Sequence, residues 1–111
     1  MTGVPRFSGN PGANALATIV VANRVGHHVC ISNVMWSYNA APTAGSLNIV
    51  DAQGERQVQV DITAAGPGFI LGGDGWAEFE AGSGVTLTLA AGGAAVTGKL
   101  SCLVWYKPIA S

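Results

Sequence analysis

The sequence predicts an all-β fold, a jelly-roll-like β-sandwich of about eight antiparallel strands. Three observations lead there. Apolar and polar residues alternate with period 2 in segment after segment, as in strands buried on one side. Glycine-, proline- and alanine-rich turns separate those segments at short intervals. No window supports a useful helix, because every apolar stretch is broken by glycine or filled with β-branched residues. The 111 residues suffice for one domain with a single sandwich core.

In chain order, residues 1–13 (MTGVPRFSGNPGA) lack periodicity and are rich in Gly and Pro. They are expected to form an N-terminal arm, ordered where something holds it, ahead of a single sandwich domain over 14–111. A first strand is expected at about 14–22, followed by a turn at Asn23–Gly26. The second, about 27–39, changes phase: Val29 and Ile31 mark one face, and Val34, Trp36 and Tyr38 continue at the opposite parity. A β-bulge near Ser32–Asn33 returns both sets to one side; the alternative is a strand whose halves face different partners.

Ala40–Gly45 connects to a strand at 46–51 with Leu47 and Ile49 pointing inward. Asp51-Ala52-Gln53-Gly54 has Asp first and Gly last, as a type I turn favours, and leads into a strand at 55–63. There Val58, Val60 and Ile62 alternate with Gln57, Gln59, Asp61 and Thr63. Ala64–Gly75 reads as a glycine-rich span holding one short apolar piece, Phe69-Ile70-Leu71. Trp76–Ala81 alternates again, and Gly82–Gly84 turns into a strand at 85–90. The last strand, 96–107, carries Leu100, Cys102, Val104 and Tyr106 on one face and Leu103 and Trp105 on the other. A strand apolar on both sides belongs between two layers or at a subunit interface.

Composition narrows the function. The chain is 49% apolar and 10% charged, with a net charge of −1; an ordinary soluble domain has roughly 25% charged residues. So little charge does little to keep copies apart, and a surface covered by other subunits is the economical explanation. Arg6, Arg24, Arg56, Lys99 and Lys107 are scattered, with no cluster to neutralise a run of phosphates, which argues against nucleic acid. No segment reaches the roughly 20 apolar residues of a membrane span. Residues 13–22 (ANALATIVVA) have the look of a signal-peptide core, but Pro11 and Gly12 interrupt the lead-in and Thr18–Val21 reads as a strand. Cys30 and Cys102 lie in apolar strand contexts and are expected to be reduced core thiols; a bridge would require neighbouring strands with suitable Cβ geometry.

No candidate for chemistry outweighs a structural explanation. His27 and His28 are adjacent in a strand, so they point to opposite faces and do not chelate one metal together. Glu78 and Glu80 share a strand face near Asp74, a pairing that glycosidases use at suitable spacing, but a solvated face opposite Phe79 accounts for them. Gly72-Gly73-Asp74-Gly75 lacks the repeated acids of a calcium loop, and no glycine-rich segment continues as a phosphate loop. No catalytic residue, metal or cofactor is therefore assigned. The arm and the doubly apolar last strand nominate Val4, Phe7, Leu103 and Trp105 as interface candidates, with Trp36 and Trp76 as aromatic anchors. Trp36, Trp76, Trp105, Tyr38 and Tyr106 are also the rings available for a sugar-binding platform.

The segments GSLNIVD, VDITAAGPGF and GVTLTLAAGGAAVTGKLSCLVWY, in that order, resemble a group of proteins about a hundred residues long encoded by tailed bacteriophages. The shared pattern falls on Gly45, Leu47, Ile49, Asp61–Gly68, Leu87–Gly93 and Gly98–Leu100, within roughly 45–106; the tryptophan-rich ending departs from it. These motifs are structural rather than catalytic. The resemblance implies a non-enzymatic virion component, with capsid decoration (cement) as the expected role. It further implies a homo-oligomer, a trimer by analogy, bound between subunits of the phage major capsid protein after synthesis in the host cytoplasm. The alternative is a carbohydrate- or receptor-binding module of a head or tail fibre.

Overall fold

The computed structural model describes residues 6–9, 11–52, 57–70, 77–79 and 82–109. The described strands are β1 (Arg6–Gly9), β2 (Ala17–Val21), β3 (His27–Tyr38), β4 (Gly45–Asp51), β5 (Gln57–Ile62), β6 (Gly66–Ile70), β7 (Ala77–Glu78), β8 (Val85–Leu89) and β9 (Gly98–Pro108). One sheet has the order β1-β9-β3-β6, with β7 also paired to β3, and the second has the order β2-β8-β4-β5. Every pairing is antiparallel. Apart from the β4–β5 hairpin and the β6–β7 lane, each strand passes to the opposite sheet from its predecessor. That winding is a jelly roll, in which two four-lane sheets face one another. The expected all-β sandwich of about eight strands is what the chain forms.

Alternation decides which side of each strand is buried. β2, β4 and β8 alternate buried with exposed or half-buried positions without a break. Their inner residues, Ile19, Val21, Leu47, Ile49, Leu87 and Leu89, are at most 3% exposed. From the opposite sheet come Val29, Ile31, Val34, Tyr38, Leu100 and Val104, at most 1% exposed. The outward positions of the β2-β8-β4-β5 sheet include Thr18, Thr86, Thr88, Ser46, Asn48 and Gln59, together with Val20, Val50 and Asp61, so this face meets water mainly through uncharged polar groups and carries an exposed valine and one carboxylate.

The phase change in β3 is a bulge. Ser32 pairs with Leu103 and Met35 with Ser101, so Asn33 and Val34 together oppose the single residue Cys102. Asn33 takes the left-handed backbone with φ of 51°, a conformation that asparagine tolerates better than most residues. The extra residue puts Ile31 and Val34 on the same inner face.

Two segments differ from expectation. Residues 64–75 are not one long turn, because Gly66–Ile70 is a strand whose register runs from Val34↔Ile70 to Tyr38↔Gly66. Within the arm, Arg6–Gly9 is a strand on the outer edge of β9, from Arg6↔Leu103 to Gly9↔Leu100. The rest of the 1–13 segment is coil and turn where described, and Val4 lies outside the described residues. In both places a long neighbouring strand supplies the hydrogen bonds, which overrides weak local preference. The turn expected at 51–54 lies partly outside the described residues, but the β4–β5 hairpin it serves is in register from Gly45↔Ile62 to Val50↔Gln57.

Candidate interaction surface

The outer face of the β1-β9-β3-β6 sheet sets two exposed large apolar side chains, Met35 and Phe69, directly opposite each other, whereas Val20 is exposed on the other sheet. Opposite pairs share a face, so the pairings Met35↔Ser101, Ser37↔Lys99 and Met35↔Phe69 place these side chains together on the outside. Phe69 is 61% exposed and Met35 40%. Together with Pro67 they form one wall of a groove of about 330 Å³, whose other side carries Ser8, Ser101 and Lys99. The groove is therefore apolar along one flank and hydroxyl-bearing along the other, with a single cationic group.

Further along the same face stand Leu103 and Trp105, both half-buried, opposite Ser32 and Cys30. These are the second face of the last strand, so its apolar residues serve two surfaces: Leu100, Cys102 and Val104 the core, Leu103 and Trp105 the exterior. Magnitudes limit what the groove does alone. Covering what remains exposed of Phe69 and Met35 is worth about 2 kcal/mol. Holding two macromolecules together costs at least about 4 kcal/mol in lost freedom. A partner must therefore engage more of the molecule than the groove.

The interface candidates fall in different places. Leu103 and Trp105 lie on the outer face, whereas Trp36 is half-buried against the core. Its ring occupies the space beside Gly68 of β6, where any side chain would meet it. Phe7 is a rung of β1 opposite Cys102. Val4 and Trp76 lie outside the described residues. The structure brings Leu103 and Trp105 onto one face with Met35 and Phe69, which the sequence did not nominate. Met35 follows a bulge whose position had to be known first, and Phe69 sits in a segment that read as a turn.

The aromatic residues do not form one platform among the described residues. Tyr38 is a core residue, 1% exposed, and its hydroxyl donates to the Ala90 carbonyl at 2.6 Å. Burial pushes its phenol above the ordinary value of 10.0, with a backbone hydrogen bond at Ser46 working the other way. Tyr106 packs against the core and donates to the Ala22 carbonyl at 2.6 Å. The Arg24 guanidinium stands 4.6 Å from its ring centroid, and His27 meets it edge-on at 6.4 Å. This cluster pins the end of β9 to the β2–β3 connection. Of the described tryptophan and tyrosine rings, Trp105 alone belongs to the outer face, which also carries the phenyl ring of Phe69.

The histidines serve the backbone. His28 Nδ1–H donates to the Phe79 carbonyl at 2.8 Å, and His27 Nδ1–H to the Val25 carbonyl at 3.0 Å. Phe79 N in turn donates to the Val29 carbonyl at 3.0 Å, so His28 helps strap the segment after β7 onto β3. Among the described residues no three His, Cys, Asp or Glu side chains gather as a metal site. Glu78 takes its place opposite Cys30 in the β3–β7 pairing, while Glu80 and the Gly72–Gly75 segment with Asp74 lie outside the described residues. Cys30 and Cys102 are buried and form no disulfide with each other. They sit on opposite faces of their sheet, since Cys30 pairs with the outward Trp105 and Cys102 points into the core.

Comparison with known proteins adds little to this geometry. No family model and no curated protein matches the chain. Among solved structures, the crystal structure of an exo-β-1,3-galactanase from Phanerochaete chrysosporium with galactose aligns over 91% of this chain at 15% identity and a TM-score of 0.32. This chain spans 27% of that enzyme's length. A superposition so loose bears on neither the fold nor the activity of the present chain.

Proposed function

We propose that the chain is a structural virion protein of a tailed bacteriophage, a capsid decoration (cement) protein that oligomerises and stabilises the shell by binding between major capsid subunits. The observation that supports this reading best is a jelly roll whose outer sheet face keeps Phe69, Met35, Leu103 and Trp105 at or near the surface, between Lys99 and Lys107 on the same side of the last strand. Such a face suits a permanent protein partner, where buried apolar area supplies the association energy. The motifs over 45–106 agree with this role, and trimer as the oligomer rests on the same resemblance. In this reading the protein acts on the capsid surface, without catalysis or cofactor, after synthesis in the host cytoplasm.

The fibre-module alternative depends on a shared aromatic platform. Its support is weakened by the inward packing of Trp36, Tyr38 and Tyr106. A glycan array showing specific hits would restore it.

The deciding experiment uses the encoding phage. Mass spectrometry of purified particles is expected to find the protein at a fixed ratio to the major capsid protein. Particles made without it are expected to bind the purified chain and become more resistant to heat. A protein absent from particles, and without affinity for shells lacking it, would overturn the proposal.

A further inference from the structure

The groove on the outer sheet face is built from two neighbouring cross-strand rows. Ser8, Ser101, Met35 and Phe69 stand side by side across β1, β9, β3 and β6. The next row along the strands holds Lys99, Ser37 and Pro67. The two rows share one face and lie about 7 Å apart, the rise of a strand over two residues. Phe69, Met35 and Pro67 form the apolar wall, and the small side chains of Ser37 and Ser101 leave the space beside it.

The floor of the groove offers an occupant no new backbone ladder. β3 is paired on both sides here, with β6 and β9, and Ser101 of β9 stands between Ser8 and Met35. Their N–H and C=O groups are committed to those ladders, so recognition must come from side chains. Among the described residues lining the groove, the exposed Lys99 alone is charged. The described carboxylates lie elsewhere. Asp51 and Asp61 belong to β4 and β5 of the other sheet, and Glu78 pairs with Cys30, beyond the β3 bulge.

These features select the occupant. A lone ammonium at the end of an apolar wall favours an acidic group and repels a basic one, while the wall itself accepts a large apolar side chain. In an extended segment, side chains two residues apart lie on one face about 7 Å from each other. That is the separation of the two rows. Laid along the groove, such a segment sets an apolar side chain against Phe69, Met35 and Pro67. An Asp or Glu two positions away then meets Lys99.

We propose that the groove takes an extended segment of the major capsid protein in which an Asp or Glu stands two residues from a large apolar residue. The inference rests on the reading of this chain as a decoration protein and adds the chemistry of its partner. The segment supplies an ionic contact at Lys99, and Leu103 and Trp105 on the same face extend the contact beyond the groove, as the small apolar gain of the groove alone requires.

The test uses shells lacking the protein and a carbodiimide, which joins an ammonium to a carboxylate only where the two are in contact. Wild-type chain bound to shells is expected to give a link from Lys99 to the capsid protein. Mass spectrometry is expected to map it to an Asp or Glu with a large apolar residue two positions away. Lys99→Arg is expected to bind as the wild type does and to lose that link. Lys99→Glu is expected to bind about tenfold more weakly at low salt, a difference that narrows as sodium chloride is raised. Melting temperatures near that of the wild type confirm that both variants are folded. A wild type that does not bind shells overturns the decoration reading and this inference with it. Where the wild type binds, undiminished binding by Lys99→Glu, no link at Lys99, or a link from Lys99 to another copy of this chain overturns the groove assignment alone.

Discussion

The Trp36 ring lies in the space that a side chain on Gly68 would fill: a Cβ built there falls 2.6 Å from the indole Nε1 and closer still to two ring carbons. The two residues are register partners across β3 and β6, so the ring lies directly over the glycine. Gly68→Ala is therefore expected to push the ring into packed core, at a cost of about 1–3 kcal/mol. Urea denaturation of Gly68→Ala, Trp36→Leu and the double variant checks this. The two changes should be less than additive, because removing the ring makes room for the methyl group.

The bulge offers a second test. Asn33 sits at φ of 51°, where a β-branched residue pays about 1–2 kcal/mol. Asn33→Val should lower the melting temperature clearly, while Asn33→Gly should stay close to wild type. Equal effects of the two would show that the left-handed backbone at 33 is not what this position demands.

Tyr38 links stability to alkaline pH. Its phenol is raised above 10.0 chiefly by burial, so the folded state holds the proton more tightly than the unfolded chain does. Its contribution is fully present below about pH 10 and is lost as the pH rises through the folded-state value. Tyr38→Phe should remove this fall. At neutral pH the same variant should cost about 1 kcal/mol, since the Ala90 carbonyl loses its donor. Denaturation curves between pH 8 and 11 for both proteins measure the two effects together.

Cys30 and Cys102 should behave as inert thiols. Both are buried and they face opposite sides of one sheet, so reductant should leave the melting temperature unchanged. A thiol reagent should find two groups per chain in denaturant and react only slowly with the folded protein.

Phe69 separates folding from partner binding. As an exposed residue, it should tolerate Phe69→Ser with a stability change within about 0.5 kcal/mol. If the outer face seats on a shell, the same change should weaken particle binding about ten- to a hundredfold, the equivalent of burying one phenylalanine. A cosedimentation assay with shells lacking the protein reads this directly.

Much of the fold was legible because alternation and burial say the same thing. β2, β4, β5, β8 and β9 lie where the period-2 pattern puts them, and the parity break in β3 announced its bulge. β1 and β6 were not legible. Gly66-Pro67-Gly68 reads locally as a turn, yet it is extended because β3 offers it an edge and Trp36 needs a residue without a side chain beside it. Arg6–Gly9 is a strand for the corresponding reason beside β9. The candidate surface was half legible. Leu103 and Trp105 announce themselves by parity, whereas Met35 and Phe69 depend on pairings between segments far apart in sequence.

The β1–β9 pairing also sets how the molecule responds to force. Arg6 pairs with Leu103 and Gly9 with Leu100, so the start of β1 and the end of β9 leave the sheet at the same end. A pull applied between them loads the ladder one rung at a time, like a zipper, rather than all rungs at once in shear. β1 would peel away at low force and expose the edge of β9, while the β3–β9 pairing behind it still holds the core.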